Sequence, residues 1–340
     1  MTRSQARSTR GLTLLLVAAL GVLGLSGCTS SSADTGSANK VAIVAYSVPK
    51  PAYDALEKAF AQSSQGKGVS FSASYGASGD QSRAVANGQR ADYVAFSILP
   101  DLTKLVPAFV SDGWDAGPTH GLVSDSVVVI VVRKGNPKHI TGWDDLIKPG
   151  IKIVSPDPGS SGSAKWNLLA AFAHGYLSGG EAGGQAYLKQ FAAHLVSKPS
   201  SGSAATQTFL SGTGDVLISY ENEAIAARQK GQSLDYLVPR DTVLIENPAA
   251  TTKNAPQAAK DFLNFVQSPA GQQVFASKGY RPVLPGVQVG EVPGANDPNN
   301  PFPTVQTLTT VADLGGWSAV NKKYFDKTDG IITNILKDAG

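Results

Sequence analysis

The sequence predicts an α/β chain folded into two interleaved lobes with a ligand cleft between them. Short apolar runs alternate with helix-periodic segments along most of the chain, the pattern of parallel strands covered on both faces. Two β-rich stretches, near residues 123 and 240, are placed to carry the chain from one lobe to the other and back. Three Gly/Ser turns each follow a strand, and ligands in such sheets sit outside the carboxyl ends of strands.

The chain opens on a targeting segment. Arg3, Arg7 and Arg10 form a basic head, and residues 12–25 are an apolar run too short for a comfortable membrane span. The run ends in Leu25-Ser26-Gly27-Cys28, which resembles a bacterial lipobox and implies cleavage before Cys28 and a thioether-linked lipid on its sulfur. Cys28 is the only cysteine, so no internal disulfide forms. A signal peptide over 1–27 thus precedes a small, polar tether over 28–39. The whole chain carries 29 basic and 26 acidic residues; the leader takes three arginines and no acid, which leaves the remainder formally balanced. Nothing in that balance favours a nucleic-acid partner. The remaining length suits two domains.

Residues 40–46 (KVAIVAY) read as a buried strand, and 52–62 as a helix with Leu56, Ala59 and Phe60 on one face. Residues 69–75 alternate as a second strand and run into Gly76-Ala77-Ser78-Gly79, the first turn, then a helix through Val85. Ser78 is placed to cap that helix or to donate to a ligand. Asp80 suits the helix dipole but would repel a bound anion. Residues 91–97 read as a third strand and 99–110 as a helix. Residues 123–134 are the longest β-branched run, long enough to cross between lobes, and 141–147 form a short capped helix.

Residues 151–167 (IKIVSPDPGSSGSAKWN) read as a strand, a small-residue loop and the start of a helix near 164. Such a junction leaves several N–H groups without intrahelical partners, at the positive end of the helix dipole. Ser160, Ser161 and Ser163 add hydroxyls, and no Lys or Arg of the loop precedes Lys165, so this is a cradle of neutral donors for an oxyanion. The Walker phosphate loop is absent, because the lysine is followed by Trp166 and the glycine spacing fails. A helix over 185–194, the third turn at 200–206 and a strand at 215–220 follow. Glu221 and Glu223 read as a solvated face, followed by a helix. Residues 234–238 and 242–245 look like the return crossing, 258–266 and 271–279 like helices, 286–304 like a loop and 331–337 like a last helix.

Five segments together resemble the sulfate-binding proteins that serve bacterial ABC importers, in particular their actinobacterial lipoprotein form. They are YGASGDQSRAV (75–85), VVVIVVRKGNPKHITGWDDL (127–146), DPGSSGSAKWNLLAA (157–171), GDVLISYENEA (214–224) and SPAGQQVFASKGYRPV (268–283). The resemblance implies a two-lobed venus-flytrap, the periplasmic-binding-protein fold, with sulfate held dehydrated by neutral donors of both lobes. It also implies no cofactor, no metal and no catalysis. The family's donors fall on Ser78, on Ser161, Gly162 and Ser163, on Ser201, and on Tyr220 in place of an indole. Ser47 stands where the family shows an aspartate, Gly202 where it shows an arginine, and Asp80 where it shows a lysine. The implied partners are sulfate, ABC permease subunits and the membrane through the lipid on Cys28, with the protein a monomer on the outer face. The implied domains are lobe 1 over 40–122 plus 240–285, lobe 2 over 123–239, and a C-terminal stretch, 286–340, packing on both.

Sulfate at neutral pH carries no proton, so it needs donors only, whereas phosphate profits from an acceptor aimed at it. Sulfate is therefore the expected ligand, with thiosulfate, molybdate and phosphate as alternatives. The rival class is a serine hydrolase. The four histidines, His120, His139, His174 and His194, show no partner pattern, G-x-S-x-G fails on spacing, and His174 and His194 read as solvated helix residues. Trp114, Trp143 and Trp317 read as core residues.

Overall fold

A computed structural model describes residues 39–339. The leader, Cys28 and nearly all of the tether lie outside the described residues.

β-Branched and alanine-rich runs that are apolar on both faces make strands meant to be covered twice. β1 (Lys40–Tyr46), β2 (Ser70–Gly76) and β3 (Tyr93–Ala95) alternate with α1 (Lys50–Ala61), α2 (Ser78–Ala86) and α3 (Leu99–Thr103). Then come β4 (Leu122–Arg133), a 3-10 turn (Trp143–Ile147), β5 (Ile153–Val154), α4 (Gly162–Ala193), β6 (Leu195–Ser197), α5 (Gly202–Leu210), β7 (Val216–Tyr220) and α6 (Glu221–Gln229). β8 (Leu234–Leu237), β9 (Asp241–Thr251), α7 (Gln257–Val266), α8 (Pro269–Ser277), β10 (Thr307–Thr309), α9 (Gly316–Tyr324) and α10 (Ile331–Asp338) complete the chain.

The main strand order is β2-β1-β3-β9-β4-β7-β5-β6, with β8 on β4 and β10 on β9. Two long strands join its halves. β4 pairs with β9 through residues 122–127 and with β7 and β8 through 128–133, while the far end of β9 pairs with β3. All of these pairings are antiparallel, so the sheet is mixed rather than purely parallel. The reason is the crossing itself: β4 and β9 run through both halves in opposite senses. The return path is β9 alone, longer than expected, because β8 folds back onto β4.

The period-2 geometry of a strand is visible in what β4 buries. Val128, Ile130 and Val132 enter one core with Trp143, Trp166, Phe172 and Phe191, while Val127, Val129 and Val131 enter another with Phe209, Leu217 and Ile225. β1 divides likewise: Val41, Ile43 and Ala45 meet Tyr53, Phe60, Phe262 and Phe275, and Val44 meets Val94, Phe96 and Leu102. The helix expected over 99–110 stops at Thr103 and continues as turns, since Pro107 has no N–H to extend it. α4 carries a break at Gly179 and Gly180 that absorbs the separately expected helix at 185–194. β10 and α9 were not foreseen; Trp317 of α9 packs edge-on against Trp166, their rings 4.8 Å apart. No helix of the described residues is long and apolar enough to cross a membrane.

Candidate anion-binding site

Each of the three Gly/Ser turns opens a helix, and the starts of those helices meet. α2 begins at Ser78, α4 at Gly162 behind the N-cap Ser161, α5 at Gly202 behind Ser201, and α6 directly after Tyr220. The contacts between them are specific. The Gly79 N–H donates to the Ser160 carbonyl (3.0 Å), and the Ser160 hydroxyl to the Ser200 carbonyl (2.8 Å). A Cβ placed on Gly162 would stand 2.6 Å from Ser97 Oγ, and one on Gly202 would stand 2.8 Å from Val48 Cγ2 and 2.9 Å from Ser163 Oγ. Backbone from both halves of the sheet therefore approaches as closely as glycine permits. The first-turn N–H groups of these helices have no intrahelical acceptor; Ser160 takes that of Gly79 and the Ser201 hydroxyl that of Ala204.

A hydroxyl network lines it. Tyr220 is fully buried, its hydroxyl 2.6 Å from Ser97 Oγ, with Ser163 and Asn247 within reach of the same oxygen. Burial pushes the Tyr220 pKa up, so this phenol stays protonated and keeps a hydrogen to donate. Ser97 is locked by three further bonds: its N–H donates to Ser78 Oγ (3.0 Å), and its carbonyl accepts from Trp166 Nε1 (2.8 Å) and Asn247 Nδ2 (3.0 Å). Ser97 and Asn247 were missed from the sequence. Ser97 ends the strand run ADYVAFS, and that position was the available signal.

Ser78, Ser161, Gly162, Ser163, Ser201 and Tyr220 are brought together, with changed roles for two of them. The Ser78 hydroxyl neither caps α2 nor is free to donate: it donates to Asp101 Oδ2 (2.8 Å) and accepts from Ser97. Its backbone N–H remains. The Ser201 hydroxyl caps α5 by accepting the Ala204 N–H (3.2 Å) and retains its own hydrogen. Ser47 lies on the wall of a neighbouring cavity of about 300 Å³, beside Lys50, Thr206 and Glu223.

The carboxylates around the junction are already engaged. Asp80 is exposed and paired with Arg83, so it does not point inward. Asp101 takes the Ser78 hydroxyl and Lys104, and Asp157 accepts the Gly159 N–H. Glu221 and Glu223 are not a solvated face. Glu221 is buried against Arg281 (2.7 Å), and Glu223 accepts the Ser219 hydroxyl (2.7 Å). Burial raises the pKa of both, against the pull of Arg281 on Glu221 and of hydroxyl donors on Glu223. Lys165 donates to Asn321 Oδ1 (2.9 Å), and burial lowers its pKa to about 8.

No nucleophilic arrangement forms here. His174 is held between Asp241 (3.0 Å) and Asp144 (3.1 Å), and His194 Nδ1 faces the Ile151 carbonyl (2.7 Å), so neither is the solvated residue expected nor a base for a serine. Burial alone would lower the His174 pKa, but the two carboxylates outweigh it and hold it above the usual value. Among the described residues no group of three or more His, Cys, Asp or Glu side chains is arranged to hold a metal ion. Of the tryptophans read as core, Trp143 and Trp317 are buried and Trp114 is half-buried.

Residues 41–281 match the family described as Bacterial extracellular solute-binding protein. A sulfate-binding protein of Synechococcus elongatus is 37% identical over 314 residues, covering 87% of this chain and 86% of that one. A sulfate-binding protein of Escherichia coli K12 is 32% identical over 298 residues, covering 83% and 88%. Among solved structures, the sulfate-binding protein SubI from Mycobacterium tuberculosis H37Rv superposes with a TM-score of 0.79 at 45% identity, over 85% of this chain and 100% of that one.

Proposed function

Because the chain belongs to the bacterial extracellular solute-binding proteins, we propose that it captures sulfate outside the cytoplasm and delivers it to an ABC permease. The family binds solutes without converting them, so the chain is not an enzyme. The observation that carries the choice of ligand is the meeting of the first turns of α2, α4 and α5 with the Tyr220 hydroxyl, while the nearby carboxylates, Asp80 of the α2 first turn included, are bound elsewhere.

The donors in this reading are the N–H groups of Ser78, Gly162, Ser163 and Ser201 and the hydroxyls of Ser161 and Tyr220, with Ser47 flanking from its own cavity. Hydrogen bonds to a charged group contribute about 1.5–3 kcal/mol each, so a set of this size offsets dehydration of a divalent ion with no cation among the donors. For Tyr220 to donate inward, Ser97 Oγ must donate to Tyr220. That direction is open, because the Ser97 hydroxyl has one hydrogen and the Ser97 backbone makes the other bonds. Thiosulfate and molybdate share the donor requirement and are the nearest alternatives; phosphate lacks the acceptor its proton needs.

Residues 40–122 with 240–285 act as lobe 1, 123–239 as lobe 2, and 286–340 packs on the lobes. Closure is a hinge about β4 and β9. The closed contacts Gly162–Ser97 and Gly202–Val48 form the surface that sulfate seals and that the permease reads. A monomer held by lipid on Cys28 at the outer face of the cell membrane fits this role. Small-angle scattering of residues 28–340 with and without sulfate tests it: the radius of gyration falls on adding sulfate, and an unchanged radius together with no binding heat defeats the reading.

A further inference from the structure

Beside the anion crevice lies a groove of about 750 Å³ that the capture of sulfate does not use. That size is in the range of small-molecule sites, about 300–1,000 Å³. Six cationic side chains line it, Arg83, Lys104, Lys165, Lys198, Lys327 and Lys337, against one carboxylate, Asp157. Its apolar lining comes from Pro158, Phe325 and Leu336, with the buried Ile332 behind them. The combination of a cationic rim and an apolar bed suits a ligand with both a fixed negative charge and a carbon body; inorganic sulfate would leave the bed wet.

The groove is continuous with the crevice. Arg83, Lys104, Pro158, Gly159 and Lys165 also line a smaller opening, about 50 Å³, whose other walls are Gly79, Ile98, Asp101, Ser160, Ser161 and Gly162. Lys165 marks the join, its Nζ 4.9 Å above the Phe325 ring and bonded to Asn321 of α9. Some rim charge is spent locally: Arg83 pairs with Asp80, Lys104 with Asp101. The lining still carries a cationic surplus. Arg83 and Lys104 come from the chain before β4, whereas Lys165 is on α4 and Leu336 and Lys337 are on α10, which packs on α4. An occupant therefore touches both halves at once.

We propose that this groove is a second binding site, for an amphiphilic organic anion of the aryl sulfate class, and that its occupant strengthens sulfate capture. The coupling rests on the closure described above. A molecule bridging Arg83 and Lys104 to the α4–α10 wall favours the closed arrangement, and linkage makes the effect reciprocal: sulfate raises its affinity by the same factor.

The test is calorimetric titration of 4-nitrophenyl sulfate into the mature chain saturated with sulfate. The expected result is one further site, with sulfate affinity in turn raised about fivefold or more when 4-nitrophenyl sulfate is present. The double variant Lys327→Glu/Lys337→Glu changes two exposed lysines, so folding is preserved, and it weakens the aryl sulfate about tenfold while sulfate alone binds as before. Leu336→Gln weakens it as well, by exposing the bed. No heat in the saturated protein, one-for-one displacement of sulfate, or binding untouched by both variants overturns the proposal. If sulfate fails to bind while 4-nitrophenyl sulfate binds in a Lys327- and Lys337-dependent way, the groove stands and the sulfate reading falls.

Discussion

Gly162→Ala is the substitution that separates closure from folding. A methyl at Gly162 meets Ser97 Oγ at 2.6 Å, Ser97 Cβ at 2.8 Å and Ile98 Cγ2 at 3.2 Å. Ser97 has little freedom to yield, since its hydroxyl is held by Tyr220 at 2.6 Å and its backbone by Ser78, Trp166 and Asn247. Overpacking of a tight contact costs about 1–3 kcal/mol, which corresponds to about a 5- to 150-fold loss of affinity. The strain falls on the closed form alone, because Gly162 and Ser97 belong to opposite halves of the sheet, and a hinge that opens removes the clash. The ligand-free variant should therefore melt close to wild type, while sulfate binds at least about fivefold more weakly and raises the melting temperature less. Gly79→Ala, whose methyl meets the Ser160 carbonyl at 3.0 Å and the mobile end of Arg83 at 3.3 Å, serves as the milder comparison. Calorimetry and a thermal-shift series with sulfate read both quantities. Wild-type affinity in Gly162→Ala, or an equal loss of stability without ligand, refutes the reasoning.

Three other outcomes follow from the same contacts. Tyr220→Phe removes the hydroxyl proposed as a donor and strands Ser97 Oγ in a buried site, so sulfate affinity falls by about 1–3 kcal/mol in a titration; unchanged binding places the phenol outside the site. His174→Gln loses a cation clasped by Asp144 and Asp241. Because the folded pKa is raised, that stabilisation is fully present below the ordinary histidine pKa and is lost as pH rises through the folded value. The variant is then about 1 kcal/mol less stable in acid and converges on wild type in alkali; denaturant melts across pH decide it, and a pH-independent gap argues against the clasp. Asp125 on β4 lies opposite Glu246 on β9, and burial with that neighbour pushes its pKa up to about 8 despite Arg281. Its folded pKa is also raised, so stability drains as pH climbs through about 8, and Asp125→Asn should melt higher than wild type above that pH, with parity there counting against it.

Much of this was legible from the chain because strand-turn-helix junctions obey local rules. Ser78, Ser161 and Gly162 sit at helix starts that their small neighbours announce, and the β-branched run over residues 123–134 forms one long strand, β4, paired with both β9 and β7. What could not be read depends on who packs against whom. Glu221 and Glu223 sit in the first turn of a polar helix, yet Arg281, some sixty residues on, draws one inward and Ser219 the other. His174 reads as a surface residue of α4 until the 3-10 turn brings Asp144 and β9 brings Asp241 to its two nitrogens. The Ser78 hydroxyl has an obvious local role as a cap, and a carboxylate from α3 takes it instead. α9 was missed because Gly315 and Gly316, both at positive φ, interrupt the pattern just where the helix begins.

The most direct test of a neutral-donor sulfate site is calorimetric titration of residues 28–340 with sulfate and, separately, phosphate between pH 6 and 9. The account predicts one sulfate per chain throughout that range, and phosphate weaker by about 10⁴-fold, as for a site that leaves a ligand proton without an acceptor. Phosphate binding as tightly as sulfate, or no sulfate binding at any pH, contradicts it.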